Sequence, residues 1–251
     1  MPYKVLQPGE DARAGEDRCA LAVMAKAPRP GKVKTRLSPP LTPEQATALN
    51  ICFIRDTTEN IRQVTEAGNS VGVVAYTPIG DEGAFDGLLP SAFQLLGQRG
   101  DGFGQRLLHA SEDLFACGFS AVCLIDSDSP TMPQDALQQA VETLSRAGDR
   151  MVLGGSDDGG YYLLGVKRLH QRLFEQIDWS TERVFAQTLE RAREIGLQAE
   201  LLPNWYDVDD AATLERLRRE LAAPAGAGYN ARHTRGYLES LQPTCTTSSS
   251  R

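Results

Sequence analysis

Short and almost continuously apolar runs alternate along this chain with amphipathic stretches, and this alternation constrains the fold more than any other feature of the sequence. Such runs are typical of strands buried on both faces of a parallel sheet, and the stretches between them are typical of covering helices. The sequence therefore predicts an α/β fold with a mostly parallel sheet. The candidate strands are Ala20–Ala25, Val71–Tyr76, Phe93–Leu96, Ala121–Ile125, Met151–Gly154, Tyr161–Val166 and Ala199–Leu202.

The best-marked helix begins at Thr42. The sequence Thr-Pro-Glu-Gln supplies an N-cap hydroxyl, a proline at the first helical position and a capping-box glutamine. Apolar residues then recur at intervals of three and four between Ala46 and Val64, which gives the helix one face to pack on the sheet. Further helices are predicted at about 103–117, 133–147, 181–195 and 210–221, and a loop is predicted at 77–92.

The chain of 251 residues fits one domain, which we place at residues 19–222. Residues 1–18 and 223–251 lack periodicity and are expected to be mobile. The sequence shows neither a membrane-length apolar run nor a signal peptide, so we expect a cytoplasmic protein without membrane contact. The five cysteines, Cys245 among them, never form a CxxC pair, and we expect reduced thiols.

Charge and histidine content narrow the possible functions. The formal net charge of −7 argues against a protein that binds nucleic-acid polymers, because that binding requires a broad basic surface. Only three histidines are present, so a multi-histidine metal site or a Ser-His-Asp triad is poorly supplied. We therefore expect the chemistry to depend on carboxylates.

Basic residues are concentrated directly after the first strand, within Ala25–Arg36. Lysines and arginines that converge with backbone N–H groups near Gly31 suit a compact anion such as a diphosphate. Ligands of α/β proteins collect at the carboxyl ends of such strands, which favours this interpretation over a merely solvated basic loop. The basic residues are Lys26, Arg29, Lys32, Lys34 and Arg36.

Two aspartates follow the apolar strand Ala121–Ile125. Asp126 and Asp128 are separated by one residue, so their carboxylates project to the same side of an extended chain. Oxygen ligands at a sheet edge suit Mg²⁺ or Mn²⁺, which also takes phosphate oxygens. An Asx turn is the plain structural alternative. The basic loop and the carboxylate pair support each other, because a divalent cation commonly bridges protein carboxylates and a diphosphate.

Three further segments carry candidate residues. In the stretch 156–162, Asp158 is placed to bind sugar hydroxyls or to accept a proton, although a hairpin turn explains the same residues. Asp207 is a candidate third metal ligand, whereas Asp209 or Asp210 is expected to cap the last helix. The glycine-rich turn 98–106 suits a base or ribose contact or a plain turn into a helix. Trp179 fits a core position or the wall of an acceptor site.

The blocks VMAKAPRPGKVKTRL, LIDSDSPTMP, SDDGGYYLLGV, IDWST and YDVDD, in this order over residues 20–220, resemble the bacterial family of selenodomain- or arsenosugar-associated glycosyltransferases. The resemblance implies a GT-A fold, that is, a Rossmann-like three-layer α/β/α sandwich. It also implies a catalytic group of Asp126, Asp128 and Asp158, in which Asp126 and Asp128 form the metal site. Asp207 joins this metal site as a candidate ligand from its position after the last strand, since the resemblance does not fix its role. The candidate nucleotide contacts are Ala25, Lys26, Gly31, Lys34, Thr35, Arg36, Gln98, Asp101, Gly102 and Arg106. The candidate sugar or acceptor contacts are Asp157, Gly159, Gly160 and Trp179.

These features predict a metal-dependent glycosyltransferase that moves a sugar from a nucleoside-diphosphate sugar to a small acceptor, with Mg²⁺ or Mn²⁺ as cofactor. The alternative enzyme is a nucleotidyltransferase, which joins a nucleoside triphosphate to a phosphorylated small molecule and releases pyrophosphate. A nucleotide-binding domain without catalysis is the third hypothesis. It is disfavoured because the candidate metal pair and the basic loop are both present. One departure from the family pattern, Phe103 in the glycine-rich turn, leaves base recognition open.

Overall fold

Eight strands form one mixed sheet in the computed structural model, which describes residues 3–222 and 231–241. In spatial order the sheet runs β1-β4-β3-β2-β5-β7-β6-β8, and only β7 is antiparallel to its neighbours. The strands are β1 (Lys4–Val5), β2 (Cys19–Lys26), β3 (Ser70–Thr77), β4 (Gln94–Gly97), β5 (Ala121–Ile125), β6 (Arg150–Ser156), β7 (Tyr161–Val166) and β8 (Gln198–Trp205). The predicted α/β fold with a mostly parallel sheet is confirmed.

Helices cover both faces of this sheet. Apolar residues of α1 and α3 pack on one face, those of α2 and α4 pack on the other, and α5 and α6 pack together near α1. The helices are α1 (Pro43–Thr65), α2 (Phe103–Ala116), α3 (Gln134–Ser145), α4 (Val184–Glu194), α5 (Ala211–Ala222) and α6 (Arg232–Ser240). The molecule is thus the three-layer sandwich that the resemblance implied.

The start of α1 is the one that the sequence predicts. The Gln45 N–H donates to the Thr42 hydroxyl at 3.2 Å, and the Thr42 N–H donates to the Gln45 side chain at 2.9 Å. This reciprocal capping box satisfies two N–H groups that the first helical turn would otherwise leave without partners. The predicted loop 77–92 is irregular apart from Thr77, the last residue of β3, and a short 3₁₀ helix at Glu82–Phe85.

Both chain ends contain more structure than expected. The prediction that residues 1–18 are mobile is wrong for the described part, because Lys4–Val5 pairs with β4 and Leu6 is buried. A strand of two residues carries too little periodicity to be recognised. The expected mobile tail 223–251 contains helix α6, packed on α1. Residues 1–2, 223–230 and 242–251 lie outside the described residues.

The N-terminus of α6 depends on a residue that is distant in sequence. The backbone N–H groups of His233 and Thr234 donate to the two carboxylate oxygens of the buried Asp56 in α1, at 3.0 and 2.8 Å. Burial raises the pKa of Asp56, and these hydrogen bonds oppose the shift. The helix is therefore capped by a tertiary contact that no local sequence pattern reveals.

The expectations about cysteine thiols and membrane contact concern the environment in which the chain works. The four cysteines within the described residues form no disulfide, and Cys245 lies outside that part of the chain. Within residues 3–222 and 231–241, no helix is both long and apolar enough to cross a bilayer.

The direction of the strands decides where functional side chains gather. Strands β2, β5, β6 and β8 all run the same way, so their carboxyl ends lie at one edge of the sheet. The basic loop leaves β2, the Asp126 segment leaves β5, the turn 157–160 leaves β6, and the Asp207 segment leaves β8. Ligands of open α/β sheets bind at this edge.

Candidate active site

A cavity of about 520 Å³ opens at the carboxyl edge of the sheet, and five aspartates line it. Two of them come from the end of β5, one from the β6–β7 turn, and two from the segment after β8. They are Asp126, Asp128, Asp158, Asp207 and Asp209. Three segments that are far apart in sequence thus bring their acids to one place.

Asp126 is fixed at the base of this acidic cavity. Its Oδ2 accepts a hydrogen bond from the Ser129 hydroxyl at 2.9 Å, and that hydroxyl also bonds to the Tyr206 carbonyl. Burial and the neighbouring charges of Asp128 and Asp207 raise the pKa of Asp126 well above its ordinary value, although the Ser129 hydrogen bond opposes them. The side chain is held rigidly in an excess of negative charge, which is the environment that attracts a cation.

Asp207 faces the cavity from the other side. The Ser156 hydroxyl at the end of β6 donates to its Oδ1 at 2.8 Å. Burial raises the pKa of Asp207 to about 6, and the charges of Asp158 and Asp209 add to the effect while the Ser156 hydrogen bond opposes it. Asp210 instead caps α5, because the Thr213 N–H donates to its Oδ1 at 2.8 Å. Of the two residues considered for that cap, Asp209 is left to line the cavity.

Lys34 connects the basic loop to the acids. Its Nζ lies 2.7 Å from Asp128 Oδ1 and 2.8 Å from Asp209 Oδ1, and it donates to the Val208 carbonyl at 2.8 Å. Burial alone would lower the pKa of this ammonium group, but the two carboxylates outweigh burial and raise it. The same ammonium group holds the pKa of Asp209 below its ordinary value against the opposing effect of burial.

The basic loop borders a second pocket of about 260 Å³. Lys26, Lys32, Thr35 and Arg36 line it together with Asn50 of α1. Arg36, Asp128 and Asp209 line both pockets, so the acidic cavity and the basic pocket adjoin each other. A ligand that reaches across this shared wall would contact the carboxylates and the basic side chains at the same time.

The donor set fits Mg²⁺ or Mn²⁺ in its chemistry. All its side chains offer oxygen, and Asp126 and Asp207 face neighbouring carboxylates whose charges add to burial in raising their pKa values. Among residues 3–222 and 231–241, no three His, Cys, Asp or Glu side chains already stand at metal-binding distances. Magnesium often binds one or two carboxylates and takes its other ligands from water and substrate phosphates. A site of that kind needs no ready-made group of three acids.

The turn between β6 and β7 is the hairpin turn that the sequence allowed, and it also lines the cavity. Asp158 and Gly160 contribute to the wall, and Asp158 Oδ1 accepts the Gly160 N–H at 2.8 Å. Asp157 points elsewhere, since it pairs with Arg216 of α5 at 2.6 Å. Gly159 has a φ of +87°, and a Cβ there would lie 2.2 Å from the Glu182 carbonyl oxygen, so it serves the close approach of two loops.

Most candidate residues of the glycine-rich turn lie outside both pockets. The Gln98 amide donates to the carbonyls of Ala75 at 2.6 Å and of Ala25 at 3.4 Å, so it joins strand ends. Asp101 and Gly102 are exposed before α2, and Arg106 lies beside the Phe103 ring. Neither pocket is lined by Ala25, Gly31, Gln98, Asp101, Gly102 or Arg106.

An aromatic wall closes the side of the cavity opposite the basic loop. Phe103 and Trp179 meet edge to face, with ring centroids 5.6 Å apart, and both line the cavity with Tyr161. The wall depends on Gly104, where a Cβ would lie 2.2 Å from the indole nitrogen of Trp179. The expected helix start near Thr181 is wrong by three residues, because α4 begins at Val184. The freed segment, which contains Ser180 at a φ of 64°, lines the cavity instead.

Sequence reasoning missed three residues at the site. Ser156 orients Asp207, Tyr161 forms part of the wall, and Asn50 is buried at the basic pocket with its Oδ1 unbonded. The position of Ser156 and Tyr161 at the ends of β6 and β7 could have indicated the first two. Asn50 lies within the predicted helix α1, and no local signal distinguishes it.

Similarity to known proteins agrees with this architecture. Residues 60–181 match the family described as "Uncharacterized protein conserved in bacteria (DUF2064)". The crystal structure of a "putative nucleotide-diphospho-sugar transferase" from Desulfovibrio desulfuricans G20 superposes with a TM-score of 0.78 at 28% identity, over 89% of this chain and 94% of that one. The fold is that of a GT-A-like nucleotide-diphospho-sugar transferase. No curated protein matches the sequence.

More distant structures share the fold alone. A 4-diphosphocytidyl-2C-methyl-D-erythritol synthase from Anaerococcus prevotii DSM 20548 gives a TM-score of 0.54 at 9% identity, over 82% of this chain and 99% of that one. A CMP:2-keto-3-deoxy-manno-octonic acid synthetase complexed with CTP gives 0.51 at 15% identity, over 82% and 98%. The GT-A-like part of the family resemblance thus agrees with the solved structures.

Proposed function

We propose that this protein is a metal-dependent glycosyltransferase that moves a sugar from a nucleoside-diphosphate sugar to a small acceptor. The observation that carries the proposal is that the acidic cavity and the basic pocket adjoin each other, with Arg36, Asp128 and Asp209 in the lining of both. A nucleoside diphosphate carries a compact charge that suits this pair of neighbouring pockets. The 28% identity to the Desulfovibrio protein described as a nucleotide-diphospho-sugar transferase supports the same reaction class.

In this proposal the charged residues stabilise the leaving group. The acceptor hydroxyl oxygen attacks the anomeric carbon, the bond from that carbon to the diphosphate oxygen breaks, and the nucleoside diphosphate departs. Arg36 and Lys26 balance the negative charge that grows on the departing phosphates. One or two of the carboxylates of Asp126, Asp128 and Asp207 would hold Mg²⁺ or Mn²⁺, which when bound polarises phosphate oxygens as a Lewis acid.

Asp158 is the proposed general base. It lies on the cavity wall at a turn that the Gly160 N–H and the approach of the Glu182 backbone both hold in place. A carboxylate within hydrogen-bond reach of the acceptor hydroxyl takes its proton as the new glycosidic bond forms. The aromatic wall of Phe103 and Trp179 offers an apolar face to a sugar ring or to the acceptor.

Incubation with Mn²⁺ and a panel of nucleotide sugars tests the reaction. Release of free UDP, GDP or another nucleoside diphosphate in the presence of an acceptor would support glycosyl transfer. Release of pyrophosphate from a nucleoside triphosphate would overturn it in favour of nucleotidyl transfer. The acceptor panel should include selenium- and arsenic-containing small molecules, because that specificity is a prediction from the family resemblance alone.

Nucleotidyl transfer is the second candidate, and one observation favours it. The basic pocket of about 260 Å³ has Lys26, Lys32 and Arg36 on its walls, which is enough positive charge to receive the two terminal phosphates of a triphosphate. The solved synthases named for cytidyl products share the fold at 15% identity or less. We also propose a cytoplasmic location, which the reduced thiols expected from the sequence would suit.

The aromatic wall can be tested apart from the charged groups. Gly104→Ala should displace Trp179 and cost about 1–3 kcal/mol of stability, as overpacking commonly does. It should also raise the acceptor KM more than it changes nucleotide affinity. Gly102→Ala is the matched control, because no atom lies within 4 Å of the Cβ it would add. Equal effects of the two substitutions on the acceptor KM would show that the aromatic wall does not contact the acceptor.

A further inference from the structure

The ammonium group of Lys34 is completely satisfied by protein oxygens. An ammonium has three N–H donors, and its three oxygen partners are Asp128 Oδ1, Asp209 Oδ1 and the Val208 carbonyl, at 2.7 to 2.8 Å. The Phe53 ring lies beneath it, 5.5 Å from Nζ to the centroid. Only 4% of the side chain is exposed. In this arrangement Lys34 has no donor left for a phosphate.

The position of this ammonium group also affects the cation site. Asp128 is a proposed metal ligand, and one of its two oxygens is already paired with a positive charge. A divalent cation at Asp128 would therefore meet both a partly occupied ligand and a like charge at close range.

The other basic residues of the pocket are held differently. Lys26, Lys32 and Arg36 line the basic pocket and form no ion pair within the described residues, and Lys32 and Arg36 are exposed. Lys34 itself has a φ of 47°, a left-handed conformation that is uncommon for a residue with a side chain. The ion pairs with Asp128 and Asp209 and the contact with Phe53 of α1 stabilise Lys34 in this conformation.

We propose that Lys34 is an internal counter-ion that keeps divalent cations out of the free protein, and that nucleotide phosphates draw it away from Asp128. This inference rests on the proposed function for its metal and phosphate sites. Its consequence is cooperative binding: the nucleotide and the cation each raise the affinity of the protein for the other. Such coupling is reciprocal by thermodynamic necessity.

The test measures Mn²⁺ binding by the free-Mn²⁺ electron paramagnetic resonance signal, using the full chain. Wild type, Lys34→Gln and Lys32→Met are each titrated alone and with the nucleoside diphosphate, among UDP, GDP, CDP and ADP, that most raises the melting temperature. Lys32→Met removes an equal charge from the same pocket without touching Asp128 or Asp209. Circular dichroism checks that each variant folds.

We expect Lys34→Gln to bind Mn²⁺ at least about tenfold more tightly than wild type when no nucleotide is present. Lys32→Met should change this affinity less than about threefold. In wild type the nucleotide should raise Mn²⁺ affinity at least tenfold. In Lys34→Gln the logarithm of this enhancement factor should be about half the wild-type logarithm or less.

Three outcomes overturn the inference. The first is an unchanged or weaker Mn²⁺ affinity in Lys34→Gln, and the second is an equal gain in Lys32→Met. The third needs no variant: Mn²⁺ that binds the wild type equally well with and without nucleotide. If neither wild type nor either variant binds Mn²⁺ with any of the nucleotides, the proposed function fails together with the inference. The three outcomes above overturn the inference alone, so the two failures are distinguishable.

Discussion

The acidic and basic parts of the site differ in how the fold holds them. Asp126 and Asp207 each accept a hydrogen bond from a serine at or near a strand end, and their positions follow from the sheet. Lys32 lies in the loop after β2 and Arg36 in the short 3₁₀ helix Thr35–Leu37, and neither forms an ion pair within residues 3–222 and 231–241. The acidic part is therefore organised before a ligand binds, whereas the basic part still has its donors free for one.

Lys34 is the exception that makes this comparison informative. It belongs to the basic loop by sequence but lies among the acids in space. Charge density along the chain predicts an anion-binding loop, and the structure divides that loop into side chains that are free and one that is engaged. A lysine in such a loop is therefore not automatically a phosphate ligand.

The largest effect is expected on the acidic side. Asp128→Asn should lower the transfer rate at least about a hundredfold, because it removes a charge from the proposed metal site and frees Lys34. Product release with the active donor measures it. Asp157→Asn is the control, since that side chain pairs with Arg216 outside the cavity, and it should stay within about threefold of wild type. Similar losses in both variants would contradict the assignment.

The basic side should respond through affinity. Arg36→Gln should weaken nucleotide binding by about tenfold, as expected for one charge-assisted contact, and should leave the melting temperature of the free protein almost unchanged because Arg36 is exposed. Arg29→Gln in the same loop is the comparison, because Arg29 pairs with Asp81 rather than lining the pocket. Calorimetric titration separates them. A loss at Arg29 as large as that at Arg36 would mean that general loop charge is responsible.

The smallest effect is a pH dependence of stability. Asp207 has a folded pKa of about 6 against an ordinary value of 3.8, so between these values the folded state keeps a proton that the unfolded state loses. Raising the pH through this window therefore destabilises the metal-free protein. Asp207→Asn should be more stable than wild type by about 1 kcal/mol at pH 7, after allowance for solvent screening, and no more stable at pH 4.

Melting curves in EDTA from pH 4 to pH 8 measure this difference. A stability gain in Asp207→Asn that is the same at both ends of the range would show that the carboxylate charge is not its cause.

The sequence predicts the fold well where local patterns are strong. The capping box at Thr42 and the apolar run Ala121–Ile125 place α1 and β5 with little error. Strand direction is different, because the apolar pattern of Tyr161–Val166 is the same for either direction, and only its short turn from β6 makes it antiparallel. Helix α6 escapes prediction since Asp56, 177 residues before His233, caps it.

The candidate site likewise contains residues that the sequence predicts and residues whose role only the structure shows. Asp126, Asp128, Asp158 and Asp207 could be predicted because each follows a strand that the pattern identifies. Gln98 could not be judged, because only the structure shows its amide bonded to the carbonyls of Ala25 and Ala75. The role of Asp209 depends on which neighbour caps α5, and Asp210 takes that position. Choices between adjacent polar residues are settled by tertiary contacts.

In the function proposed above, the acidic cavity and the basic pocket bind one metal–nucleotide ligand. A crystal grown with Mn²⁺ and the preferred nucleoside diphosphate would show that ligand by anomalous diffraction. We expect a manganese peak about 2 Å from a carboxylate oxygen of Asp126 or Asp128, with a diphosphate oxygen as a further ligand and Arg36 bonded to the same diphosphate. Manganese at the five aspartates with the diphosphate bound elsewhere would contradict it.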